Sequence, residues 1–190
     1  MRTIIYMVRH AESSYTDGDE RTRGLTLKGK MDAEVITEIL KDEGITHIIS
    51  SPYARAVLTL EGLAAELGVD IQTIEDLRER HFSGNGESIS NEDLMRIVKK
   101  SFDEPHYALP GGESGAACQS RSVEALRNIL IQYKGKKIAV GTHGYVMASM
   151  MNYFDSQYAF EFLIRTRKPD IYRMIFHDLE LEEVIRMWQE

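Results

Sequence analysis

Five residues of chemical interest stand directly after apolar runs or in the turns that follow them: Arg9, His10, Arg55, Glu79 and His143. A neutral imidazole can attack phosphorus, and cationic donors can stabilise the charge on the equatorial oxygens. A protonated carboxyl group can give its proton to the departing alkoxide. Two arginines, two histidines and one glutamate are therefore the parts that phosphoryl transfer through a phosphohistidine requires.

Each of these residues also has an ordinary structural interpretation. A lone histidine after a strand is more often hydrogen-bonded or exposed than catalytic. Arg55 could pair with Glu61 or another surface acid, and Glu79 could belong to a solvated charged turn over residues 75–81. Arg9, at a sheet edge, needs an anionic partner, either a carboxylate of this chain or a ligand phosphate. The functional interpretation depends on all five lying together.

The elements that must position these side chains follow from the apolar pattern. Residues 2–8, 45–49, 69–74 and 136–141 predict buried strands separated by helices, and 171–177 and 182–187 predict two more strands. This alternation predicts an α/β fold, a three-layer α/β/α sandwich with a mainly parallel sheet. Ligands of such folds bind at the carboxyl ends of the strands, where the five residues converge. Three residues mark helix starts, Thr26 and Ser114 as N-caps and Pro52 as a first helical residue.

The chain of 190 residues predicts a single domain, residues 1–190. The apolar pattern loosens over about residues 78–113, which contain polar runs and several glycines. Such a segment is long for a simple connection, so we expect a partly helical insertion that covers the site.

The composition excludes several classes of partner. Lys and Arg total 23 against 30 for Asp and Glu, a formal net charge of −7, which argues against a nucleic-acid binder. Cys118 is the only cysteine, so neither an internal disulfide nor a cysteine zinc site can form. The histidines show no metal-ligand spacing, and we expect no metal and no cofactor. No stretch reaches membrane length, which predicts a cytoplasmic protein with no membrane partner; the oligomeric state is not predicted.

Five short blocks resemble, in order, the motifs of the histidine phosphatase superfamily, also called the phosphoglycerate mutase-like family. They are V-R-H-A-E at 8–12, S-S-P-Y-A-R-A at 50–56 with Thr59, L-R-E-R at 77–80, P-G-G-E-S at 110–114 and T-H-G at 142–144. The blocks span residues 8–144, and five ordered matches form a specific signal. Ala11 departs from the usual glycine and adds a methyl group near the floor of the pocket.

The resemblance implies a role for each matching residue. His10 is expected to be the nucleophile and Glu79 the proton donor. The phosphoryl group is expected to be held by Arg9, Arg55 and His143. Thr16 stands where many members have a phosphate-contacting asparagine and can donate one hydrogen bond, so it is a weaker candidate.

Two enzymatic functions fit this resemblance. The first is a metal-independent phosphomonoesterase of the histidine acid phosphatase type, acting on small phosphorylated metabolites. The second is a phosphoglycerate mutase, because E-R-H-F at 79–82 resembles the mutase sequence E-R-H-Y. Phe82 lacks the tyrosine hydroxyl, the segment between Glu79 and Ser114 is short for a mutase, and P-G-G-E-S is common among the phosphatases, so we favour the phosphatase. A protein that only binds a phosphorylated ligand is a third possibility.

Overall fold

The computed structural model describes residues 1–16, 18–84 and 89–188, and one six-stranded sheet forms its centre. The strands are β1 (Arg2–Arg9), β2 (His47–Ser50), β3 (Ile71–Thr73), β4 (Lys137–Thr142), β5 (Asp170–His177) and β6 (Glu180–Arg186). Their order across the sheet is β3-β2-β4-β1-β5-β6. The first four strands pair in parallel, whereas β5 pairs antiparallel with both β1 and β6. The prediction of a mainly parallel sheet is confirmed.

The described part of the chain contains six α-helices and one short 3₁₀ helix. The α-helices are α1 (Leu27–Leu40), α2 (Ala54–Leu67), α3 (Asn91–Asp103), α4 (Gly115–Gln132), α5 (Gly144–Phe154) and α6 (Phe160–Arg165). Strand β1 explains the layering, because successive side chains of a strand point to opposite faces. Tyr6 and Val8 pack with α1 and α2, while Ile5 and Met7 pack with α4 and α5. The three-layer α/β/α sandwich is therefore confirmed.

Two of the three predicted helix starts are confirmed. The hydroxyl of Thr26 accepts a hydrogen bond from Gly29 N at 3.0 Å, and that of Ser114 accepts one from Ala117 N at 3.1 Å. The prediction for Pro52 is wrong, because α2 begins two residues later. The backbone N–H of Ala54 donates to the carbonyl of Arg21 at 2.8 Å, so a contact with a distant loop sets the start of this helix.

The segment 78–113 contains α3, and residues 85–88 within it lie outside the described residues. Its ends are drawn together, because Glu113 N donates to the carbonyl of His81 at 2.7 Å. The single domain and the covering insertion stay predictions. Among the described residues, no helix combines the length and apolar character needed to cross a membrane.

Candidate active site

The carboxyl ends of three adjacent strands bring the predicted residues to one place. In the register of the sheet, Arg9 of β1 lies opposite Thr142 of β4, and Ser50 of β2 lies opposite Gly141 of β4. The residue after β1 continues this pairing, because His10 N donates to the carbonyl of Thr142 at 3.0 Å. The histidine side chains that follow β1 and β4 therefore emerge side by side at the same edge.

His10 is held in one tautomer. Its side chain is 4 % exposed, its Nδ1 lies 2.7 Å from the carbonyl oxygen of Ala11, and its Nε2 lies 3.3 Å from Nε of Arg55. The guanidinium Nε–H can only donate, so Nε2 of His10 accepts and its Nδ1–H donates to Ala11. Burial, followed by the positive charge of Arg55, lowers the pKa of His10 well below 6.5. The result is a neutral imidazole whose Nε2 lone pair faces a cation.

His143 lies beside this imidazole and is fully buried. The two rings meet edge to face with centroids 5.2 Å apart, and Nε2 of His143 lies 2.8 Å from the hydroxyl of Ser51. Burial, and then His10 and Arg55, lower the pKa of His143 well below its ordinary value. Within the described residues its Nδ1 has no hydrogen-bond partner, which leaves a buried ring nitrogen that a ligand oxygen could satisfy.

Arg55 occupies the first turn of α2, as expected, and is 1 % exposed. Besides contacting His10, its Nη2 lies 3.0 Å from the Glu20 carboxylate and its Nη1 donates to the Glu20 carbonyl. An acid of this chain therefore does pair with Arg55, but it is Glu20 and not Glu61. Burial lowers the pKa of the guanidinium, and the acids Glu20 and Glu79 act in the opposite direction.

Arg9 reaches the site from the end of β1. Its Nη1 donates to the carbonyl of Thr166 at 3.2 Å and to the hydroxyl of the same residue, which follows α6. The buried Nε of Arg9 has no partner among the described residues. A Cβ on Gly144 would lie 2.8 Å from the guanidinium carbon of Arg9, so the absence of a side chain at this position leaves room for the Arg9 guanidinium.

Glu79 is half-buried and follows the short 3₁₀ helix Glu75–Leu77. Its carboxylate accepts hydrogen bonds from Arg80 N at 2.8 Å and from Tyr145 N, in the first turn of α5, at 3.4 Å. Burial lowers the pKa of Arg9, and the negative charge of Glu79 raises it, so the Glu79 carboxylate lies near the Arg9 guanidinium. Glu79 is thus tied to the strand-end cluster and is not part of a freely solvated turn.

Thr16 has no described hydrogen bond to this cluster. Thr16 is exposed, and its described hydrogen bonds, through its hydroxyl and its backbone N–H, are with the hydroxyl of Ser14. The same loop supplies two residues that sequence reasoning missed, Glu20 and the buried Arg23. The only signal for them was the polarity of residues 13–23, which does not distinguish a surface loop from one that folds over a site.

Comparison with known proteins decides the family. The model of the histidine phosphatase superfamily (branch 1) matches residues 5–171, a range that holds all five strand-end residues. The chain belongs to this superfamily. Membership of this superfamily, together with a relative named phosphoglycerate mutase-like, indicates an enzyme of the phosphatase and mutase type.

Proteins similar to this chain carry both kinds of name. A phosphoglycerate mutase-like protein 4 from Arabidopsis thaliana is 31 % identical over 159 residues, covering 77 % of this chain and 68 % of the relative. The solved structure of YhfR from Bacillus stearothermophilus has a TM-score of 0.77 at 25 % identity, with 95 % of this chain and 94 % of that chain covered. A phosphoserine phosphatase from Entamoeba histolytica, in complex with phosphoserine, has a TM-score of 0.77 at 21 % identity, with 96 % of each chain covered.

Proposed function

We propose that this chain is a phosphomonoesterase that hydrolyses small phosphorylated metabolites through a phosphohistidine at His10, without a metal ion. The observation that carries the proposal is the state of His10: buried, neutral, with Nδ1–H donated to the Ala11 carbonyl and Nε2 presented as an acceptor. A nucleophilic imidazole needs its attacking nitrogen unprotonated and its other nitrogen fixed. Both conditions are met at Nε2.

The proposed reaction has two steps. In the first, Nε2 of His10 forms a bond to phosphorus while the bond from phosphorus to the leaving oxygen breaks, and protonated Glu79 gives that oxygen its proton. In the second, water attacks the phosphohistidine, the P–N bond breaks, Glu79 accepts a proton from the water, and phosphate leaves. The charge on the phosphoryl oxygens is stabilised by three side chains, Arg9, Arg55 and His143. The buried Nε of Arg9 and Nδ1 of His143, which have no hydrogen-bond partner among the described residues, support this role.

The surroundings of Phe82 support the phosphatase over the mutase. Arg80, in the block that resembles the mutase motif, is 3 % exposed and donates to the carbonyls of Glu113 and Tyr107. Its guanidinium also lies over the rings of Phe82 and Tyr145, at 4.9 and 4.7 Å. Phe82 therefore packs against Arg80 and, because it lacks the tyrosine hydroxyl of the mutase sequence, offers a substrate no hydrogen bond.

A panel of phosphomonoesters tests the proposal. The wild type, assayed with excess EDTA and without a bisphosphoglycerate primer, is expected to release inorganic phosphate from p-nitrophenyl phosphate and from a subset of alkyl phosphates. The His10→Ala variant, prepared in the same way, is the control for contaminating phosphatase activity. Rapid interconversion of 3- and 2-phosphoglycerate with negligible phosphate release would show a mutase. Loss of activity with EDTA that a divalent ion restores would show a metal-dependent hydrolase, and saturable phosphate binding without turnover would show a binding protein.

A further inference from the structure

Arg23 is a buried cation close to the candidate site. It is 6 % exposed, and its Nη1 donates to the hydroxyl of Ser13 at 2.6 Å. Its guanidinium also lies over the ring of Tyr15 at 4.3 Å. Its buried Nε has no hydrogen-bond partner in the described part of the chain. A guanidinium out of water with an unused donor is costly unless an anion completes its partners.

One carboxylate serves both Arg23 and Arg55. Oε1 of Glu20 lies 3.2 Å from Nη2 of Arg23, and Oε2 lies 3.0 Å from Nη2 of Arg55. The Glu20 side chain is 64 % exposed, whereas both arginine side chains are largely buried, at 8 % and 1 % exposed. Two buried positive charges therefore share one carboxylate, on an exposed side chain that can turn into water when another anion takes its place between them.

The geometry suits a phosphate better than a carboxylate. A phosphate group carries up to two negative charges and three or more acceptor oxygens, so it can bridge two guanidinium groups and still accept further hydrogen bonds. Arg55 already contacts Nε2 of His10, the atom at which a phosphoryl group is transferred under the proposed function. An anion that replaces Glu20 between the two guanidinium groups thus lies next to the nucleophile.

We propose that Arg23 is a third guanidinium of the phosphate site and that Glu20 is a displaceable counterion, which leaves when a phosphate dianion binds. The choice of phosphate as the ligand rests on the proposed function. The three side chains lie close enough for their charges to interact, because the positive charge of Arg23 lowers the pKa values of both Arg55 and His143. This proximity supports a shared phosphate site. The expected preference is for dianionic phosphomonoesters over phosphodiesters, which carry one charge.

The test measures the affinity for inorganic phosphate in the whole protein, both as a competitive inhibitor of p-nitrophenyl phosphate hydrolysis and through phosphate-dependent thermal stabilisation. Arg23→Met is expected to weaken phosphate binding tenfold or more, and Arg23→Lys to weaken it less. Arg21→Met is the matched control, because Arg21 is exposed and pairs with Glu75. That variant should bind phosphate as the wild type does. Glu20→Gln, which removes the competing charge and keeps the size, is expected to tighten phosphate binding severalfold.

Wild-type phosphate affinity in Arg23→Met or Arg23→Lys, or weaker binding in Glu20→Gln, would overturn the inference. If Arg23→Met fails to fold, Arg23→Lys and Glu20→Gln still test the inference. Arg23→Lys keeps a long cationic side chain at the buried position, and Glu20→Gln changes only an exposed side chain. The inference and the proposed function fail separately. Turnover by the wild type with an unchanged affinity in the Arg23 variants contradicts only the inference. Arg23-dependent phosphate binding without any turnover contradicts only the proposed function.

Discussion

At the scale of single residues, the proposed function gives His10 and Glu79 opposite requirements for protons. His10 must be neutral to attack, and its burial beside Arg55 keeps it so. Glu79 must give a proton to the leaving oxygen as the bond from that oxygen to phosphorus breaks. Its carboxyl group meets the phosphate dianion only when substrate is bound. The role of Glu79 therefore depends on the presence of substrate and calls for a kinetic test.

Glu79→Gln removes the proton but keeps the shape of the side chain. We expect kcat for alkyl phosphates to fall by about 10²- to 10⁴-fold, the usual contribution of general acid catalysis. Hydrolysis of p-nitrophenyl phosphate should change little, because its leaving group needs little protonation. Steady-state kinetics on the two substrates measure this difference directly. Equal losses on both would give Glu79 only a shaping role, and the donor would then be sought at Glu12, Glu113 or Glu87, the last of which lies outside the described residues.

At the scale of elements, the approach of α1 to the loop after β1 depends on Gly29. A Cβ on Gly29 would lie 2.1 Å from the carbonyl oxygen of Glu12, a backbone atom that already accepts from Thr26 N at 3.0 Å. Within a helix, alanine is favoured over glycine by up to about 1 kcal/mol. The steric cost of so close a contact exceeds this gain, because the backbone of Glu12 or of α1 would have to move.

Gly29→Ala is therefore expected to destabilise the fold by about 1–3 kcal/mol, the range of overpacked sites, and to lower kcat by displacing the loop that carries the nucleophile. Gly24→Ala is the matched control, because its Cβ would meet only Leu58 Cδ1 at 3.7 Å, an ordinary contact. Urea unfolding and kcat of both variants provide the comparison. A Gly29→Ala protein as stable and active as Gly24→Ala would show that α1 does not hold this loop in place.

The elements also show how far the sequence leads. Apolar runs in the sequence predict the strands. The rule that ligands bind at the carboxyl ends of strands predicts that His10 and His143 lie together, as they do in the structure. The partners of Arg9 and Arg55 could not be predicted, because each depends on a long-range contact. Thr166 lies 157 residues from Arg9, and Glu20 lies 35 residues from Arg55 in a loop without apolar periodicity. Residue types and strand ends therefore predict the site, whereas the conformation of the loops determines which charged groups are in contact there.

At the scale of the whole molecule, the two buried histidines link stability to pH. Their folded pKa values lie below the unfolded value of 6.5, so the unfolded chain binds more protons as the solution is acidified. Their contribution is fully present above pH 6.5 and is lost as pH falls towards the folded pKa values. Glu113, whose burial is outweighed by Arg121 so that its pKa is lowered, loses its contribution only below about 4.5.

We therefore expect the free energy of unfolding to fall between about pH 6.5 and 5, where histidines and not carboxylates take up protons. Denaturant titrations across this range measure the slope. His143→Gln should reduce it, whereas His106→Gln, at an exposed position, should leave it unchanged. A flat profile for the wild type, or the same slope in His143→Gln, would contradict the neutral, buried state assigned to this pair.

Trapping of the covalent intermediate is the most direct test of the proposed phosphohistidine at His10. The enzyme is mixed with a ³²P-labelled phosphomonoester and quenched within milliseconds in alkaline detergent, because phosphohistidine survives base and is lost in acid. We expect label on Nε2 of His10, formed and lost at least as fast as turnover. His10→Ala should carry no label, and its turnover should fall by several powers of ten. Undiminished turnover in His10→Ala, or label on another residue formed at the rate of turnover, would contradict this proposal.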